Sequence, residues 1–245
     1  MPLILLWLSI LLTGLSCTRA RVTAPVPPSP LSEAQQNQFQ YYFFEGTTAK
    51  LIGKWEQAEQ FFARALSLDP GSAVTAYEMG RIALQRGDGP KAQRMAQRAA
   101  QLDPLNPWYL QFLAQVYQNN GLPKEAADTW QRLIAMDNEH SLEALENLAN
   151  LHIQNKSYNE AMECANALEQ KLGPQPEILD QKKNIWLLLG KKEKAIKEIQ
   201  RLVSLYPNEL GHRLGLVQTF SAEGQYDKAL SLLQEALPLT ENPNR

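Results

Sequence analysis

Residues 53–70 read Gly-Lys-Trp-Glu-Gln-Ala-Glu-Gln-Phe-Phe-Ala-Arg-Ala-Leu-Ser-Leu-Asp-Pro, and residues 87–104 return in the same frame as Gly-Asp-Gly-Pro-Lys-Ala-Gln-Arg-Met-Ala-Gln-Arg-Ala-Ala-Gln-Leu-Asp-Pro. Each opens on glycine, carries alanine five residues later and closes on proline. The alanine recurs at 58, 92, 126, 161, 195 and 229, at intervals of 34, 34, 35, 34 and 34 residues. A period of this length means one supersecondary unit copied six times, each burying its apolar face only against a neighbour. The chain therefore reads as a rod of stacked parts, and a rod without one central pocket is suited to binding.

Other columns keep the register. Gly53, Gly87, Gly121, Gly190 and Gly224 stand five residues before the alanine. Phe62, Ala96, Trp130, Ala165, Ile199 and Leu233 stand four after it, and Ala65, Ala99, Leu133, Leu168, Leu202 and Ala236 seven after it. Offsets of zero, four and seven share one face of a helix. The glycine falls where a first helix stops and the chain reverses, a place that favours a left-handed residue. Alanine on the second helix lets two axes approach, and a larger residue there overpacks the contact at ~1–3 kcal/mol. Pro70, Pro104 and Pro207 end the second helix and set the turn into the next unit.

With these columns in phase from about residue 39 to 240, the chain resembles the tetratricopeptide repeat family, whose unit is two antiparallel helices. The resemblance implies an all-α fold, a right-handed α-solenoid of six helix-turn-helix repeats following a signal or lipoprotein leader. The expected divisions are a leader at 1–16, a lipidated cysteine and Pro-rich tether at 17–35, and repeats at 36–72, 73–106, 107–141, 142–175, 176–209 and 210–245. Repeat 4 departs from the pattern. It holds one extra residue, Lys156 replaces the turn glycine, and Gly173-Pro174 replaces the closing proline. Asn155 is expected to supply the left-handed residue there, since Asn tolerates it better than most. A local change of superhelical pitch near 138–142, without a break, is expected.

The composition, 44% hydrophobic and 20% charged, is that of an ordinary soluble protein apart from the first segment. A formal net charge of −2 gives no electrostatic reason to expect nucleic acid, which calls for a clustered basic face. Leu3–Leu15 is an apolar run too short for a comfortable membrane span but suited to a signal-peptide core. Gly14-Leu15-Ser16-Cys17 then resembles a bacterial lipoprotein processing site, with the looseness seen in lipoproteins of the Bacteroidetes group. The same small residues before Cys17 also suit an ordinary signal peptidase, so lipidation of Cys17 and simple secretion both stay open. A lipid anchor at ~0.8 kcal/mol per buried methylene would hold the protein at a membrane, with Thr18–Pro30 as an extended tether. At the other end no polar capping helix is expected after repeat 6. Leu230, Leu237 and Leu239 are candidates for an exposed apolar end through which copies could associate.

Little in the chain could run a reaction, and neither an enzyme nor a cofactor is expected. Cys164 reads as a small buried hydrophobe, since no histidine or basic cluster flanks it. His140, His152 and His212 are read as lying on separate helices. His140 and Glu143 could share a face, but a zinc site needs three or four ligands, so no metal site is expected. Gly87-Asp88-Gly89 lacks the Lys-Ser/Thr of a phosphate loop and in register is a turn.

The family resemblance places ligand binding on the concave face, lined by the first helix of each unit. It implies a groove built from Phe43 and Lys50 in repeat 1, Tyr77 and Arg81 in repeat 2, and Trp108, Gln111, Gln115, Gln118 and Asn119 in repeat 3, continuing through Glu146, Asn150 and Gln154 in repeat 4. Aromatic and cationic groups thus give way to carboxamides, which offer a donor and an acceptor to any extended backbone. Each polar residue taken singly could merely solvate an exposed helix. The family's carboxylate clamp for acidic tails lacks its residues here, since Gln40, Phe43, Val74 and Tyr77 occupy those positions. The expected function is a non-enzymatic scaffold that binds a partner protein or extended peptide. It would be lipid-anchored in a bacterial cell envelope, at the periplasmic side of the outer membrane, in secretion or envelope assembly. A soluble secreted or periplasmic adaptor or chaperone without an anchor is the alternative.

Overall fold

The structure, a computed structural model, describes residues 31–241, so Cys17 and the leader lie outside the described residues. Twelve helices run in order among those residues: α1 Glu33–Leu51, α2 Trp55–Leu68, α3 Ala73–Gln85, α4 Gly89–Leu102, α5 Pro107–Asn119, α6 Pro123–Ala135, α7 His140–Gln154, α8 Tyr158–Leu172, α9 Pro176–Leu188, α10 Lys192–Leu205, α11 Leu210–Ala222 and α12 Tyr226–Glu241. Odd and even helices pair as hairpins, and each even helix packs on the odd helix that follows it. The result is an α-solenoid, as the period requires.

The alanine column explains the close pairing. Ala58, Ala92, Ala126, Ala161 and Ala195 are completely buried, and Ala229 is nearly so. A second small column lies on the odd helices. Gly46, Gly80, Ala114 and Ala149 are all buried, and a Cβ on Gly80 would meet Phe112 Cε1 at 2.8 Å. Small residues on both helices of a pair set how near the axes come.

The hairpin turns share one hydrogen-bond pattern. The amides of Lys54, Asp88, Leu122, Ser157, Lys191 and Gln225 donate to the carbonyls of Ala49, Ala83, Tyr117, His152, Trp186 and Phe220 at 2.8–2.9 Å. This is the six-to-one bond of a Schellman ending, which places the preceding residue in left-handed conformation. Five glycines fill that place with φ between 69° and 78°. In repeat 4 the residue is Lys156 itself, with φ of 60°, whereas Asn155 keeps a φ of −83°. The expectation for Asn155 is corrected: the motif fixes the left-handed position by register, and Asn155 stands one residue too early.

Two further expectations change. The first helix starts inside the stretch read as tether. Ser32 accepts from the amide of Gln35, and Gln35 Oε1 accepts from the amide of Ser32, a capping box that fixes the start at Glu33. His140 and His152 share α7, at its two ends and roughly 18 Å apart along the axis. The extra residue of repeat 4 is taken up by α7, 15 residues long where α3, α5, α9 and α11 have 13. The chain turns into α7 through Asp137, with φ of 46°, and α6 and α7 remain packed.

Candidate functional site

Between α1, α3 and α5 lies an open cavity of about 730 Å³. Its walls include Lys50, Leu51, Trp55, Tyr77, Arg81, Leu84, Gln85, Trp108, Gln111 and Gln115. Six of the residues expected in the groove therefore meet in one place. Their odd-helix positions fall three or four apart, as on one helix face, and stacking the hairpins sets three such faces side by side.

Neighbours decide how each of them is available. Lys50 Nζ lies 2.6 Å from Glu78 Oε2, with both side chains largely covered, so its charge is answered within the protein. Arg81 is half exposed, its guanidinium 5.6 Å above the Tyr77 ring and 4.0 Å from Glu78. Tyr77 is held by Tyr109 and Phe112, each with its ring centre 5.2 Å away. Trp108 is 57% exposed, which is unusual for so large an apolar surface, and the edge-on ring of His140 steadies it at 4.6 Å. Gln111 donates through Nε2 to Glu143 Oε1 at 2.6 Å, while its Oε1 is buried and accepts no bond. Gln115 is exposed on the rim.

The other expected residues do not join this cavity. Phe43 is half-buried and turned onto Phe62, its ring centre 5.5 Å away, as part of the N-terminal core. Gln118 accepts from Trp130 Nε1 at 3.2 Å, and a buried indole that needs an acceptor removes this carboxamide from the groove. Asn119, Glu146, Asn150 and Gln154 are exposed farther along α5 and α7, where Asn150 Oδ1 accepts from Gln181 Nε2 at 3.4 Å. The run of free carboxamides is thus shorter than the sequence suggests. Sequence reasoning missed Trp55, which enters the cavity from α2, and Glu78, whose pairing with Lys50 spans 28 residues. No local pattern announces either one.

A second cavity, about 500 Å³, lies between α9, α10 and α11 and is lined by Asp180, Asn184, Leu187, His212 and Gly215 among others. Elsewhere Cys164 is buried on α8. Burial, with a smaller contribution from Glu163, pushes its thiol up to about 11, so it stays protonated at neutral pH. Among the described residues no three His, Cys, Asp or Glu side chains gather as a metal site. No described helix is long and apolar enough to cross a membrane.

Profiles of the tetratricopeptide repeat family match residues 53–115, 109–176, 184–209 and 213–245. A curated relative, the cellulose synthase operon protein C of Pseudomonas fluorescens (strain SBW25), is 29% identical over 107 residues, 44% of this chain and 8% of that protein. The chain thus corresponds to a small part of that relative. Among solved structures, a tetratricopeptide repeat protein from Parabacteroides merdae ATCC 43184 superposes with a TM-score of 0.61 at 16% identity, covering 82% of this chain and 80% of the other. YrrB, described as a TPR protein with an unusual peptide-binding site, gives 0.57 at 19% identity and covers 74% and 96%. At such identities these likenesses speak for the fold alone. With profiles of the family matching along most of the array and the turn and alanine columns in place, the chain belongs to the tetratricopeptide repeat family.

Proposed function

We propose that this chain is a non-enzymatic interaction scaffold that holds an extended segment of a partner protein across α1, α3 and α5. One observation carries the reading: Trp108 stands more than half exposed in an open cavity beside an arginine stacked on Tyr77 and the carboxamide of Gln115. Exposed aromatic anchors ringed by polar groups are what protein interfaces use to bind. A carboxamide rim suits backbone recognition, because it is indifferent to the ligand's side chains. The peptide-binding site named for YrrB adds support by analogy.

Replacing Trp108 and Gln115 together with alanine tests this. Recovery of cross-linked partners from the native host is expected to fall at least severalfold, with helical circular dichroism unchanged. Unchanged recovery would place the binding surface elsewhere.

The finer reading is a scaffold anchored by lipid on Cys17 in a bacterial cell envelope of the Bacteroidetes type, at the outer membrane, serving secretion or envelope assembly. It rests on the apolar run Leu3–Leu15 and the Gly14-Leu15-Ser16-Cys17 site. Metabolic labelling with a fatty acid, together with the intact mass of the mature protein, checks it. A mature chain without acyl mass would make the protein a soluble secreted or periplasmic adaptor instead.

A further inference from the structure

Each repeat has two neighbours, and the first and last described repeats each lack one. Comparing equivalent positions isolates what the missing neighbour covers, because the partner helix within the hairpin is present in every case. The place four residues after the alanine is Phe62, Ala96, Trp130, Ala165 and Ile199 in repeats 1 to 5, with exposures of 0–5%; in repeat 6 it is Leu233, which is 41% exposed. Leu230 lies three residues earlier on the same face of α12 and is 57% exposed. Tyr226, one turn further back, is exposed as well.

The same comparison on the odd helices finds a second bare face. The place seventeen residues before the alanine is Thr75, Tyr109, Ala144 and Ile178 in repeats 2 to 5, all buried; in repeat 1 it is Tyr41, 57% exposed. Phe44 beside it is 68% exposed, where repeat 3 buries Phe112. Thr48, the next residue along that face, is exposed where Ile82, Val116, Leu151 and Ile185 are buried.

We propose that copies of this chain stack head to tail, the outer face of α12 in one copy seating on the outer face of α1 in the next. The two faces are the halves of a contact the protein already makes five times, at α2 on α3, α4 on α5, α6 on α7, α8 on α9 and α10 on α11. Leu230 and Leu233 stand where an even helix meets the odd helix after it, and Thr48 holds the place of Ile82, which shares a buried cluster with Phe62 of the even helix before it. Tyr41 and Phe44 hold the places of Tyr109 and Phe112, whose rings lie against Tyr77 of the odd helix before them, so α1 of the next copy seats on α12 with these two rings toward α11. A second copy therefore offers to each face the kind of surface that covers its equivalents in the interior. Such a contact is heterologous, so it continues into longer stacks unless the rotation closes a ring. The cavity between α1, α3 and α5 lies on a different surface, and stacking places grooves of successive copies in line. This assembly stands independently of the proposed groove ligand.

Sedimentation velocity and light scattering on the full chain test the arrangement, using Leu230→Glu/Leu233→Glu and Tyr41→Glu/Phe44→Glu. All four side chains are already exposed, so both variants should fold. Circular dichroism checks this, and milder Gln versions stand in if either glutamate form does not fold. The unaltered chain is expected to gain mass with concentration beyond a dimer or to settle in a closed ring. Each variant alone is expected to remain a monomer. An equal mixture of the two should form a dimer and stop, since each retains one intact end and only the intact ends fit. A monomeric unaltered chain overturns the proposal. So does a dimer of the Tyr41→Glu/Phe44→Glu variant alone, which would mean that α12 meets α12, and so does a mixture that stays monomeric.

Discussion

Lys156 stands where five other repeats place glycine, and it holds a φ of 60° to close the Schellman bond from Ser157 to His152. A side chain in left-handed conformation costs about 1–2 kcal/mol, and nothing in the motif relieves it. Lys156→Gly is therefore expected to raise stability by about 1 kcal/mol, read as a higher urea midpoint with an unchanged slope. A lower midpoint would mean that the lysine stem contributes packing that outweighs the strain. The glycines at the other five turns were legible in the sequence, because a backbone requirement repeats wherever the motif does. The lysine was misread because Asn is the more usual left-handed residue, while hydrogen-bond register, and not residue preference, chooses the position.

At the scale of the element, hairpin geometry follows from small residues where helices cross, and the groove is built directly on that geometry. Gly80 of α3 lies under Phe112 of α5, and the Phe112 ring in turn supports Tyr77 in the cavity wall. A methyl at Gly80 would meet Phe112 Cε1 at 2.8 Å and Met95 Cβ at 3.3 Å. Gly80→Ala gains about 1 kcal/mol of helix propensity but overpacks a filled contact, for a net loss on the order of 1 kcal/mol in chemical denaturation. The near-ultraviolet spectrum of the Tyr77 cluster should shift with it. Gain of stability with an unaltered spectrum would show that α3 and α5 can move apart freely. The alanine column announced this packing, since a small residue at constant offset has few other physical causes. The matching column at Gly46, Gly80, Ala114 and Ala149 keeps the same spacing through the first four repeats before Lys183 and Val217 end it, and could have been found in the same way.

The whole molecule depends on how well one repeat grips the next. Between repeats 4 and 5 the grip includes an ion network whose lysine and two glutamates are largely covered while its arginine is partly exposed. Lys182 Nζ of α9 lies 2.5 Å from Glu169 Oε2 of α8 and 3.5 Å from Glu198 Oε1 of α10, and Arg201 bonds both carboxylates. Burial pushes the Glu169 carboxyl up, but hydrogen bonds and charge from Arg201 and Lys182 outweigh it and hold the group below the ordinary glutamate range. A carboxylate depressed on folding contributes stability that is present above its unfolded value, near 4.5, and is lost as pH falls through the lower folded value. Glu169→Gln is expected to lose about 1.5–3 kcal/mol at neutral pH and to show a shallower acid limb below about pH 4.5. Because repeat arrays gain stability from neighbouring interfaces, amide exchange should rise first in α9 to α12. Uniform exchange along the chain would show that this seam does not limit the array.

By itself the sequence determined the number of hairpins and the five turns that glycine closes. Those features depend on local backbone demands and on a contact that recurs at fixed spacing, so they leave a periodic trace. Only the tertiary structure decided which groove residues are free to act. Glu78 neutralises Lys50, the Trp130 indole claims Gln118, and Phe43 joins the core, while Trp108 and Arg81 remain available. Each outcome depends on one particular side chain brought near from another helix, and a contact made once leaves no period to read.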